Sequence, residues 1–411
     1  MNSVIIMSYT YQYVYLELMH ILSFSLVIVT KNVFIVFVPL YTILFLCSNF
    51  AAFFPIFLMQ DPFAAYQQLA DQIVQNIQNR LAQAGHQQPQ QPRHQPLAIT
   101  AENLIAENDN AKMKLLTNFT VQEFNNLYQL VDTVLQTGTH ADSIATPKTR
   151  FLITLTWCKF NETYKPMAMK FGMKYTYARY IVTSTMVHTQ PVLEQIFIKW
   201  TSVPQRLAAN IQVADFQFLL GSVDATVQKI YRPSRNQRDY YSGKHKIHCM
   251  KTQALVSPSG LLMHHSHCVP GAQHDMNLFR NSGLVDLIAK ENTECQRIIH
   301  ANCTVLGDSG YQGMANEVQG GVTPFKRPRN GQLTAQQQQQ NGVIGRNRII
   351  VENWFGRHKT LWGICAGTFR QNIKHYETVW GFCAALTNYH ITLHPLRADD
   401  HLPWDDIQHD D

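Results

Sequence analysis

None of the eight cysteines forms a CxxC pair, and none lies at compact ligand spacing from another. That absence argues against a zinc finger and against a disulfide framework, and it fits free thiols in a reduced compartment. Charge is missing from the beginning of the chain. Residues 1–59 carry only Glu17 and Lys31, and 33–59 carry no charge at all. No clean cleavage site of small residues follows the apolar run. What is present is a chain of 411 residues, long enough for one large or two ordinary domains. Its 45% hydrophobic content suits a sizeable core.

The uncharged run at 33–59 exceeds the roughly 20 residues needed to cross a bilayer. Read literally it is a membrane anchor. Composition changes abruptly at Met59, which opens MQDPFAAYQQLADQ. A chain started there keeps every motif used below and the same net charge of +6, because one Lys and one Glu are lost together. The expectation is that 1–58 is an upstream extension or mistaken start, with a membrane location only if that segment is expressed.

Residues 59–96 read as a polar helix, 62–86, followed by the Gln/Pro linker QQPQQPRHQP. The segment 97–205 reads as helical. One or two helices are expected in 97–146. A helix with Thr146 as cap and Pro147 in its first turn is expected over 146–160. A short helix to Phe171, a turn at Gly172 and a longer helix from about Thr176 follow, in helix-turn-helix order, although an ordinary helical hairpin reads equally well. The segment 206–395 turns to strands: FQFLLGSVD at 216–224, a hairpin of KIHCMKTQALV and LLMHHSHCV around SPSG, and CTVLGD at 303–308. Helices are expected at 276–289, 347–361 and 376–393, and the Gln-rich QLTAQQQQQN at 332–341 reads as a loop insertion. This order indicates an α/β or α+β fold. The last segment, 396–411, is an acidic tail.

Charge is unevenly spread. Lys229, Arg232, Arg235, Arg238, Lys244, Lys246 and Lys251 face one acid, Asp239. Lys326, Arg327, Arg329, Arg346, Arg348, Arg357 and Lys359 face one acid, Glu352. Two such basic stretches suit a polyanion partner. Among them stand acids at the ends of apolar runs, Asp224 and Asp308, and Glu352 in a helical stretch. Singly, each has an ordinary explanation as a turn former or a solvated helix residue. Gathered together, two carboxylates about 4 Å apart would repel by roughly 4 kcal/mol at an effective dielectric of 20. A fold keeps such a cluster when cations neutralise it or a proton is shared. All-oxygen donors favour Mg²⁺ or Mn²⁺ over zinc. The HHSHC run at 264–268 offers no complete zinc ligand set, since alternation separates His264 from His265 and His267 only by face.

The stretch 221–361 resembles the DDE-type endonuclease domain of PIF/Harbinger transposases and their domesticated relatives. The resemblance rests on GSVDAT, YYSGKHKIHCMKTQ, the glycine of SPSGL, PGAQHD, LGDSGYQG, TPFKRPR, NRIIVENWFGRHK and the LW at 361–362, in family order. It implies an RNase H-like mixed sheet with flanking helices, preceded by a helix-turn-helix-like DNA-binding region. It implies that Asp224, Asp308 and Glu352 are the catalytic acids and that Asp275 joins them as a metal ligand; helix N-capping is an equal alternative for Asp275. By the same resemblance, Lys244, Lys246, His248, Arg348 and Lys359 lie toward DNA, though solvated side chains would look the same. The implied activity is metal-dependent cleavage at transposon ends; the alternative is a domesticated, catalytically silent DNA- or partner-binding protein. A Myb-like partner, homo-oligomerisation and a nuclear location, with KRPR at 326–329 as a short import signal, are implied in the same way. Ala225 departs from the usual glycine, and 43 residues separate Asp308 from Glu352 because of the Gln run.

Overall fold

The computed structural model describes residues 25–28, 35–38, 96–139, 143–208, 213, 215, 216 and 218–396. The expected polar helix at 62–86, the linker up to residue 95 and the acidic tail beyond 396 lie outside the described residues. The chain divides into two units, Met1–Arg93 and His94–Asp411. In the first, two short strands are described, β1 (Ser25–Ile28) and β2 (Ile35–Val38), paired antiparallel. Among the described residues no helix is long and apolar enough to cross a membrane.

The second unit opens with α1 (Ala101–Ala106), α2 (Asn110–Thr117), α3 (Val121–Gln129) and α4 (Asp132–Thr137). The one or two helices expected here are thus four short ones. Each of the first three is started by a capping side chain, Thr100, Asp109 or Thr120, and Thr120 forms a reciprocal capping box with Glu123. Next comes α5 (Pro147–Phe160), with Thr146 as its cap and Pro147 in the first turn, as the sequence predicts. It is apolar nearly all round, from Phe151 to Cys158, and is buried accordingly. The helix α6 (Tyr164–Phe171) ends at Gly172, whose φ of +72° turns the chain into α7 (Tyr175–Phe197). A short α8 (Val203–Ala208) leads to the sheet.

The sheet has seven strands. Its backbone is β3 (Leu219–Lys229) and β5 (Ile247–Val256), an antiparallel pair. Between them lie α9 (Gln237–Tyr240) and the two-residue β4 (Tyr241–Ser242). Both β6 (Leu262–His265) and β7 (Val269–Pro270) pair with β5. The chain then forms α10 (Asp275–Asn281) and α11 (Leu284–Ile299). The single helix expected over 276–289 is therefore broken, at Ser282 and Gly283. The strand β8 (Thr304–Gly307) runs parallel to β3, and beyond α12 (Met314–Glu317), β9 (Gly321–Val322) runs parallel to β8. The last elements are α13 (Ala335–Leu361), α14 (Gly363–Ala366) and α15 (Tyr376–Leu393). This mixed sheet with flanking helices is the fold class expected, and it is compatible with an RNase H-like DDE fold.

The Gln run is a correction. It is helical, not a loop: the first third of α13. Glutamine is a good helix former, and Thr334 with Gln337 closes a capping box ahead of it.

Side chains alternate across β5, so Ala254 and Val256 join one core cluster and Leu255 the other. The first cluster also takes in α1 to α7, α13 and α15; the second lies under α10 and α11. One buried side chain links several layers. Asn388 on α15 accepts from Leu262 N and Trp354 Nε1, each at 3.0 Å, and donates to Phe197 O and Leu262 O, each at 2.8 Å. It thereby joins β6, α13, α7 and α15.

A candidate acid-lined active site

Parallel pairing of β3 with β8 sets Val223 opposite Gly307. Asp224 and Asp308 follow one residue later, on backbones about 5 Å apart in an ordinary ladder. Their local bonds hold them in place. Asp224 Oδ1 accepts from Ala225 N at 2.7 Å, and Asp308 Oδ1 accepts from Gly310 N at 2.8 Å, starting a 3₁₀ turn over Ser309–Tyr311.

Asp275 joins them from the start of α10. It is not the N-cap; His274 is, through Nδ1 accepting from Met276 N. One Asp275 oxygen takes Lys251 Nζ at 2.9 Å, and that ammonium also donates to Gln273 O at 2.7 Å. The other oxygen faces Gly310. A methyl group on Gly310 would sit 2.7 Å from Asp275 Oδ2 and 2.9 Å from Asp308 Oδ1. The two carboxylates therefore approach each other across a space that only glycine leaves free. Buried Tyr311 lies beside them. Its phenol is raised well above the usual range by burial first, and then by the fields of Asp224, Asp275 and Asp308.

Glu352 comes from α13. The helix turns Ile350, Trp354, His358 and Leu361 into the core. Arg348, one turn before Glu352, places Nη1 3.3 Å from Asp224 Oδ2 and Nη2 2.5 Å from Glu352 Oε1. Asp224 is pushed up to about 6, mostly by burial. The charges of Asp308 and Glu352 add to the rise, while the Ala225 N–H and the Arg348 guanidinium oppose it. All four predicted acids are thus within each other's reach, directly or through an intervening group.

Among the described residues, no three His, Cys, Asp or Glu side chains are drawn tightly enough to hold an ion as they stand. The donors nevertheless fit a hard divalent cation. They are all carboxylate oxygens, Gly310 keeps a gap between two of them, and a guanidinium supplies positive charge between the other two. Asp224, Asp308, Asp275 and Glu352 are the side chains that would have to supply the ligands, and Arg348 now bonds two of them, Asp224 and Glu352.

The predicted basic residues divide. Arg348 is in the site. Lys359 lies near it: burial lowers its ammonium while the field of Asp224 works against that. Lys244 and Lys246 are exposed at the turn before β5, and the His248 ring stands edge-on to Tyr241 at 5.3 Å. Lys251, Gly310 and Tyr311 were not singled out from the sequence. Lys251 carried a signal, being a lysine within a strand-like stretch between Met250 and Thr252, where it is 9% exposed. In the histidine run, His265 Nε2 meets Glu194 at 3.2 Å and His267 Nδ1 meets Glu377 at 2.6 Å, each with a separate carboxylate. Burial first, then its histidine neighbours, lowers His264 to about 4. All seven cysteines among the described residues are free.

Residues 223–388, less than half of the chain, match the family model described as DDE superfamily endonuclease. All four acids lie inside that match. The chain is also similar to a curated protein of Microchaete diplosiphon, "Probable transposase for insertion sequence element IS702", with 27% identity over 174 residues. That alignment takes in 42% of this chain and 57% of the relative, so the chain spans little more than half the length of the protein it matches. No solved structure matches.

Proposed function

We propose that this chain is a divalent-metal-dependent DNA endonuclease of the transposase kind, cleaving phosphodiester bonds at the ends of a mobile element. One observation carries the reading. Asp224 and Asp308 lie at adjoining strand positions, Asp275 closes on them across Gly310, and Arg348 ties Asp224 to Glu352. All of this falls within the segment that matches a DDE endonuclease.

Asp224, Asp308 and Glu352 take the catalytic positions, with Asp275 as an additional metal ligand. Mg²⁺ or Mn²⁺ bound by them would supply an activated water and charge stabilisation for the leaving oxygen. The remaining work is done by the chain's own groups. Lys251 holds Asp275 toward Asp308. Arg348, once free of the acids, and Lys359 can meet a phosphate entering the site. Lys244 and Lys246, exposed at the turn before β5, and His248 at the start of that strand would meet the DNA backbone. The relative's printed description supports DNA as substrate. Membership of the PIF/Harbinger group, a Myb-like partner, a homo-oligomer and a nuclear location belong to the same proposal and rest on the motif resemblance.

The test is cleavage of labelled duplex DNA taken from either side of the coding sequence, where terminal repeats of a mobile element would lie. Wild-type protein should cut in Mg²⁺ or Mn²⁺ and not in chelator. Asp224→Ala, Asp308→Ala and Glu352→Ala should abolish cutting while retaining DNA binding. Unchanged cutting by these purified variants would overturn the assignment. A second reading, a domesticated DNA-binding protein without nuclease activity, draws on the Arg348 bridge, which ties up Asp224 and Glu352. It is favoured if wild-type protein shifts the DNA but never cuts it in either metal.

A further inference from the structure

Between β3 and β5 the chain makes an excursion over residues 230–246. It is tied down at several points. Ile230 bridges to Phe369, Ala272 N donates to Asp239 O at 2.9 Å, and Tyr241–Ser242 pairs with Ile247–His248. It also borders the acids. Ala272 is three residues before Asp275, and His245 is lowered by burial and then by Lys244 and Lys251, with Asp275 opposing.

This anchored arm leaves two aromatic rings in solvent. Tyr231 is 66% exposed and Tyr241 44%. Cations are interleaved with them. Among the described residues, Arg235, Arg238, Lys244 and Lys246 have no carboxylate partner, and Arg232 is held only by the neutral Gln237. Cations alone would serve to bind a duplex backbone. Exposed rings beside them gain a role when bases are unstacked and can lie against a π-face.

We propose that this arm binds an unpaired DNA strand beside the acid site, with Tyr231 and Tyr241 stacking on bases and Arg235, Arg238, Lys244 and Lys246 holding phosphates. The DNA-cleaving reading supplies the identity of the nucleic acid. The arm's own geometry supplies the preference for an unpaired strand. It would grip the frayed or displaced end that strand cleavage produces.

The experiment is fluorescence-anisotropy binding of the full chain, in chelator, to a labelled oligo-dT and to a duplex of equal length. Tyr231→Ala and Tyr241→Ala should each weaken oligo-dT binding roughly tenfold, the loss of one stacked base. Duplex binding should change less than about twofold, because phosphate contacts are retained. Tyr231→Phe and Tyr241→Phe should bind as wild type, since the ring and not the hydroxyl is used; they also control for folding. Lys244→Gln should weaken both ligands and flatten the salt dependence. Equal loss on both DNAs in the alanine variants, no loss on either, or failure of the phenylalanine variants to bind would each overturn the proposal. No metal is present, so an inactive nuclease leaves this result intact, and a negative result here leaves the cleavage assay intact.

Discussion

Arg348 reaches both Asp224 and Glu352, its terminal nitrogens 3.3 and 2.5 Å from the two carboxylates. The guanidinium stands in for a cation between two acids that are remote in the chain. Removing it leaves a half-buried pair of like charges. Arg348→Gln should therefore destabilise the metal-free protein by about 2 kcal/mol, the scale of losing one partner from a partly buried pair. The same variant should regain more stability from Mn²⁺ than wild type does, because the ion no longer competes with a guanidinium. Thermal melts in chelator and in Mn²⁺ check this; an equal metal-induced shift in both proteins would count against it.

Asp224 gives a pH dependence with a defined sign. Its folded carboxyl titrates at about 6, against 3.8 for the free group. Between those values the folded state holds a proton that the unfolded state has lost. The stability this group contributes is present below about pH 4 and is lost as pH rises through about 6, an effect on the order of 3 kcal/mol. In chelator at pH 7.5, Asp224→Asn should be more stable than wild type by up to that amount, and the advantage should fade by pH 4. Urea denaturation across that range reads it directly. With Mn²⁺ present the order should invert, since the asparagine is a poorer ligand.

Gly310→Ala would put a methyl group against Asp275 Oδ2 and Asp308 Oδ1. The two carboxylates must then separate. Mn²⁺ affinity measured by calorimetry should fall about tenfold or more, a loss of ~1.4 kcal/mol, with the fold retained. Gly342→Ala is the control. Nothing lies within 4 Å of a Cβ there, and the position is helical, so this change should stabilise by about 0.5–1 kcal/mol.

Asn388→Ala should cost about 3 kcal/mol or more, because it strands Leu262 N and Trp354 Nε1 in the core. Denaturant titration measures the loss, and Trp354 fluorescence should shift with it. An effect below about 1 kcal/mol would mean that these groups find other partners.

Local features were the most legible in the sequence. Thr146 and Pro147 marked the start of a helix, Gly172 marked the turn after Phe171, and SPSG marked the turn between β5 and β6. Each depends on a few adjacent residues. The Gln run reads as a loop by its low complexity, yet glutamine is a good helix former and Thr334 with Gln337 carries the capping signal. The break at Ser282 and Gly283 does interrupt the apolar spacing, since Phe279 and Leu284 are five residues apart, and the Ser-Gly pair is itself a turn signal. At the site, Asp224 and Asp308 stand out by their place after apolar runs, Glu352 by its helical stretch, and Asp275 only through the motif resemblance. Their support was hidden. Nothing local to Lys251 says that it will meet Asp275, and nothing near Gly310 says that two carboxylates will press against it. Such contacts depend on β5, α10 and the turn after β8 meeting in space.

The long helix α13 has one further consequence. Glu352 is fixed from the C-terminal side, where Ile350, Trp354, His358 and Leu361 lock into the core, while the five glutamines at 336–340 project mostly into solvent. Gaining or losing a glutamine here would rotate and shift only the outer end of the rod and its capping threonine, and the preceding loop could absorb that at small entropic cost. The carboxylate stays where it is, so a change in tract length should leave the acid cluster undisturbed.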